Sequence, residues 1–139
     1  MPLRLLALLP LGVATAIAAT QQAPRTTADG VYTPQQADAG KDLWVMRCQS
    51  CHQPHNGPNF KAKWMGRDLG QLFEYTMNEM PKSDPGSLSE DEVASAIAFL
   101  MRANGMPAGA TALPADQAAL ARIRFDSVRS APTSTGPRR

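Results

Sequence analysis

The run Cys48-Gln49-Ser50-Cys51-His52 sets the terms on which this chain folds. Thiols three positions apart, followed at once by an imidazole, are what covalent attachment of a c-type haem requires. Both sulfurs lie on one turn, within reach of the two vinyl groups, and the turn holds His52 under the macrocycle, where a ring nitrogen can meet the iron. Three other chemistries compete. A thioredoxin-like redox pair needs a βαβ setting, and no strong strand pattern surrounds the motif. A zinc site needs about four ligands. Cys48, Cys51, His52 and His55 are the only cysteines and histidines present, crowded into eight residues. A disulfide across so short a loop is sterically poor and leaves His52 without a role. Haem attachment is the favoured reading.

The rest of the cysteine usage agrees with it. The chain begins Met1-Pro2-Leu3-Arg4, runs apolar from Leu5 to Ala19 and ends that run in small residues. This pattern reads as a secretory signal peptide over residues 1–19, cleaved after Ala18 or Ala19, and it implies a periplasmic protein if the source is a bacterium. A retained anchor is the alternative, but the apolar run contains Pro10 and Gly12 and falls short of the ~20 residues a spanning helix needs. Exported proteins normally pair their cysteines. Here haem would consume the only two, so the fold rests on its core and on the cofactor, and the apo chain is expected to fold poorly.

The formal charge of +2 drops to +1 once Arg4 leaves, which argues against a nucleic-acid binder. Arg122, Arg124, Arg129, Arg138 and Arg139 oppose only Asp116 and Asp126 near the C-terminus; a solvated tail is the plain explanation and a docking face for an acidic partner the sharper one.

Along the chain, residues 20–31 read as a flexible leader and residues 126–139 as a disordered tail, flanking a single domain over 32–125. Thr33-Pro34-Gln35-Gln36 starts a helix that delivers the motif near Cys48. Thr33 is its cap, Pro34 its first residue, and Gln36 is placed to reach back. Gly40 suits a close crossing by another helix. A second helix is expected over 68–78 on the spacing of Leu69, Leu72, Phe73 and Met77, preceded by a turn-rich loop at Asn56-Gly57-Pro58-Asn59. A third opens on a Ser89/Glu92 capping box and stops at Asn104-Gly105; its face of Val93, Ala96, Ile97 and Leu100 is expected to cross the first helix near Gly40 and Trp44. A short amphipathic helix is expected over 113–125, using Leu113, Leu120 and Ile123.

With these elements in place the chain resembles the class I c-type cytochromes over residues 32–123. The resemblance rests on Gln36-x-x-x-Gly40-x-x-x-Trp44-x-x-x-Cys48, Met80-Pro81, Pro85-Gly86-Ser87-Leu88-Ser89, Ala98-Phe99-Leu100 and Asn104-Gly105-Met106-Pro107-Ala108-Gly109. It is closest to small cytochromes and cytochrome modules that accept electrons from dehydrogenases. It implies an all-α cytochrome c fold of three to four helices around one covalent haem c, with Cys48 and Cys51 as thioether residues, His52 as proximal ligand and a methionine as distal ligand. Met80, just past the second helix and stiffened by Pro81, matches the family's ligand position; Met77 and Met106 are the alternatives. Pro58 resembles the proline whose carbonyl receives the proximal histidine's ring N–H, although Phe60 stands where an aliphatic residue is usual. His55 reads as a surface or propionate-adjacent histidine. Trp64 and Arg67 are candidate propionate contacts, with a packed Trp and a solvated Arg as the plainer readings.

The span from His52 to Met80 is 28 residues, shorter than is common in the family, and implies a more exposed haem edge and a lower potential. The expected function is single-electron transfer from a dehydrogenase donor to a cytochrome or oxidase acceptor, without an enzyme's open site. A haem enzyme or gas sensor with an open or labile distal position is the rival.

Overall fold

The computed structural model describes residues 24–55 and 57–126. The signal peptide expected over residues 1–19 and the tail from residue 127 onward lie outside the described residues. Five helices dominate: α1 (Pro34–Arg47), α2 (Pro58–Trp64), α3 (Leu69–Glu79), α4 (Glu90–Ala103) and the single turn α5 (Gln117–Leu120). The strands β1 (Arg25–Thr26) and β2 (Ile123–Arg124) make one short parallel pair, Arg25 opposite Ile123. The fold is all-α in character, as a cytochrome c fold is.

The helix starts are written in side chains. Thr33 accepts a hydrogen bond from the Gln36 N–H, Asp68 from the Gln71 N–H, and Ser89 and Glu92 close a reciprocal capping box; each satisfies donors that a helix start leaves unpaired. Gln36 does not reach back to its own cap. Its side-chain amide instead donates to the Leu113 carbonyl at 2.9 Å and accepts from the Leu113 N–H at 2.7 Å. Leu113 is buried by that clamp outside any helix, and the helical turn expected around it shrinks to α5.

α1 and α4 cross at Gly40, where a Cβ would stand 1.8 Å from the Ser95 carbonyl oxygen. A backbone-to-backbone approach of this kind admits only glycine. The face that meets α1 is not the expected one: Ser95 and Phe99 lie against Gly40, and Arg102 ties the two helices through Asp38 Oδ1 (2.6 Å) and the Ala37 carbonyl (3.0 Å). Val93, Ala96, Ile97 and Leu100 are buried on another face of α4, the last three lining a cavity.

Two segments differ from the sequence expectation. Residues 24–31 form β1 and a 3-10 turn over Thr27–Asp29 rather than a flexible leader, and Val31 and Tyr32 are buried at 1 % exposure. The partners of this segment lie 99 and 74 positions away: Thr27 Oγ1 donates to the Asp126 carbonyl at 2.7 Å, and the Tyr32 hydroxyl donates to the Met106 carbonyl at 2.7 Å. The Gly57-Pro58 turn, for its part, launches α2, because a proline at the first helical position gives up only an N–H that would lack a partner anyway. Phe60 and Trp64, four apart on α2, are both buried. Among the described residues no helix is long and apolar enough to cross a membrane.

Candidate haem site

The C-terminus of α1 hands the chain to a tight turn. The N–H groups of Cys48 and Gln49 both bond to the Trp44 carbonyl, and those of Cys51 and His52 to the Cys48 carbonyl. This turn gathers Cys48, Cys51 and His52 on the wall of a cavity of about 320 Å³. Trp44, Phe60, Trp64, Leu72, Ile97 and Leu100 make much of the remaining wall, with Met80 joining from the end of α3 and Pro81 and Leu88 from the loop after it. Cys48 and Cys51 form no disulfide with each other. Burial pushes the Cys48 thiol above its ordinary value; Arg47 opposes the shift and Cys51 adds to it.

The imidazoles form a short aromatic column. His52 and His55 stack at 4.5 Å and 18°, His55 stacks on Phe60 at 5.8 Å and 4°, and Trp44 presents an edge to His52 at 4.9 Å. Phe60 thus fills the aliphatic position of the family as a stacking partner for His55. Burial, then the neighbouring His52 and Lys63, hold His55 below the usual histidine range. His52 Nδ1 lies 3.2 Å from the Gln53 carbonyl, so the contact expected from the Pro58 carbonyl is taken by a nearer one.

Met80 is the only methionine on the cavity wall among the described residues. Met77 is half-buried and packs against the core, and Met106 is buried within it. Trp64 is buried and lines the cavity, whereas Arg67 lies outside it, 5.8 Å from the Trp64 ring. Sequence reasoning missed Lys63 on α2 and Asn104 at the end of α4, whose amide donates to the His55 carbonyl at 2.8 Å; the i,i+4 pair Phe60/Trp64 was the available signal for α2.

The wall suits a flat apolar group bearing anionic substituents. It is mainly apolar and aromatic, it carries three cations, Arg47, Lys63 and Lys82, and it includes no carboxylate. Among the described residues, no three cysteine, histidine or carboxylate side chains gather into a group that could hold a bare metal ion.

Fold, site and family match together support a class I c-type cytochrome domain. Residues 35–100 match the family model described as cytochrome C oxidase, cbb3-type, subunit III. Such a domain implies covalently bound haem c, with Cys48 and Cys51 as the fitting attachment pair, and it implies redox proteins as partners and haem-based electron transfer as its role. No curated protein and no solved structure gave a significant match.

Proposed function

We propose that this protein is a periplasmic single-electron carrier with His52 and Met80 as axial ligands, taking electrons from a dehydrogenase and passing them towards a respiratory chain. The observation that carries this reading is the presence of Met80, alone among the described methionines, on the wall that also holds Cys48, Cys51 and His52. When bound, haem c supplies one centre that gains and loses a single electron. The chain does the rest. Cys48 and Cys51 would fix the group to the end of α1, and His52 and Met80 would hold its iron, leaving no position for a substrate. Trp44, Ile97, Leu100 and Leu72 keep water from the walls, which favours the less charged form of the site. Arg47, Lys63 and Lys82 offset anionic propionates. The cbb3-type subunit III likeness supports delivery to an oxidase, and the apolar N-terminal run of the sequence supports export.

The test is the visible and near-infrared spectrum of the full chain matured with haem. The oxidised protein is expected to show the methionine-to-iron charge-transfer band in the near red, and Met80→Ala is expected to remove it, lower the potential and admit carbon monoxide to the reduced form. Rapid carbon monoxide binding by the unmutated protein, with no such band, would instead establish an open-site haem enzyme or sensor. A band that survives Met80→Ala would move the ligand to Met77 or Met106.

A further inference from the structure

The segment that follows the haem motif is poorly held by backbone bonds. Gln53, Pro54 and His55 make no backbone hydrogen bond to the helical frame among the described residues. One side chain supplies the link. Asn104, at 8 % exposure, caps the C-terminus of α4, and its Nδ2 donates at 2.8 Å both to the Leu100 carbonyl and to the His55 carbonyl. Its own backbone N–H bonds to the Leu100 and Met101 carbonyls, so the donor stands on a fixed post. The network also fixes which way the amide faces: a flipped Asn104 would aim its oxygen at two carbonyl oxygens and lose both bonds. Its Oδ1 is buried without a partner among the described residues, a cost that a purely apolar helix end would avoid.

We infer that Asn104 is a positioning residue for the haem ligand set, acting through His55 on His52. The relay is short. Asn104 holds the His55 carbonyl, the His55 ring stacks on His52 at 4.5 Å, and Phe60 backs the stack from α2. The anchor comes from α4, the helix that also crosses α1 at Gly40, so one element bears both on the helix that leads into the motif and on the segment that leaves it. Without the anchor, the segment after His52 is held by ring stacking and by the local contact of the Gln53 carbonyl with His52 Nδ1, and the imidazole's orientation loses its reference to α4. This inference rests on haem attachment at Cys48 and Cys51 and adds a residue that neither the motif nor the ligand assignment contains.

The experiment compares the full, haem-loaded chain with Asn104→Gln, Asn104→Ser and Asn104→Ala, and with Asp38→Ala as a control that removes the Arg102–Asp38 ion pair at the same helix end without touching the segment. Reduction potential and the electron paramagnetic resonance g-values of the oxidised form are read well below each variant's unfolding temperature. The expected result is a graded response, greatest for Ala, with about a threefold change in the reduced-to-oxidised ratio at fixed ambient potential. Shifted g-values accompany it, and Asp38→Ala leaves both readouts at their original values. Potentials and g-values that stay constant across the Asn104 series, or that move equally in Asp38→Ala, would reduce Asn104 to a helix cap and overturn the inference. If one variant fails to mature, the remaining two still decide the outcome. An unmutated chain lacking a c-type pyridine haemochrome would overturn the haem reading itself, a result separate from a silent Asn104 series.

Discussion

Gly40 and Ser95 meet at the closest approach of α1 and α4, with room for a hydrogen at Gly40 and for nothing larger: a Cβ there would lie 1.8 Å from the Ser95 carbonyl oxygen and 3.0 Å from the Phe99 Cβ. The first obstacle is backbone, so it cannot rotate away. Helix propensity alone would reward Gly40→Ala by about 1 kcal/mol. Forcing the helices apart costs more, about 3 kcal/mol, as overpacking of a tight core does. Gly40→Ala is therefore expected to be destabilised by about 2 kcal/mol net in denaturant titrations, with haem incorporation reduced, since α1 carries the attachment motif. Equal or greater stability would show that the crossing relaxes.

The Gln36 clamp on Leu113 yields a second expectation. Two hydrogen bonds of 2.7 and 2.9 Å satisfy both backbone groups of a buried residue that no helix or strand serves. Gln36→Leu keeps the bulk and strands a donor and an acceptor, at about 2 kcal/mol. Hydrogen exchange should locate the damage at the Leu113 amide, which is expected to lose protection while the α4 amides keep theirs.

These two contacts mark what was and was not legible in the chain. The haem motif, the Thr33 and Ser89 caps and the small residue at the α1–α4 crossing are local signals, each carried within a few positions, and all of these appear in the fold. Gln36 to Leu113, Thr27 to Asp126 and Asn104 to His55 join residues 77, 99 and 49 positions apart. No periodicity announces such pairs. Residues 24–31 have a leader's composition, yet Tyr32 and Val31 find a buried place because the C-terminal segment returns over them. α2 was hidden by its own first residues: Gly57-Pro58 is the signature of a turn and also of a proline-led helix, and only the burial of Phe60 and Trp64 separates the two.

Acid sensitivity can be traced to the α4 capping box. The Ser89 backbone N–H bonds to Glu92 Oε2 at 2.8 Å. That bond is the largest cause holding the Glu92 carboxyl below its ordinary value of 4.5; burial is the next and opposes it, and the Ser89 hydroxyl and Arg47 add to the lowering. A carboxylate with a lowered folded value stabilises the protein above the unfolded value, and that contribution fades as pH falls through the folded one. Glu92→Gln is expected to cost about 0.5 kcal/mol near neutral pH, small because the group is solvated. The gap to the unmutated protein should close as the pH drops below 4.5. A gap that persists unchanged at pH 3 would assign the effect to packing.

Lys63 offers the most direct probe of the cavity's charge. Of the three cations on the wall, Arg47 donates to Ser87 Oγ and Lys82 pairs with Glu79, both within 2.7 Å. Lys63 has no hydrogen bond or ion pair among the described residues; its ammonium lies 4.1 Å from the Tyr75 ring centroid and 5.0 Å from that of Trp64. Cation–π attraction at a solvated site is worth about 0.5–1 kcal/mol, and the ammonium remains available to an anionic haem substituent. A positive charge there favours the reduced, less positive state of the bound group. Lys63→Gln is expected to lower the reduction potential by roughly 30 mV, the equivalent of about 0.7 kcal/mol for one electron, and Lys63→Glu by about twice as much. Because Lys63 is exposed, both shifts should shrink between low and high ionic strength. A potential that is the same in all three proteins at low salt would place the Lys63 charge too far from the haem to matter, and would leave Arg47 as the cation to test next.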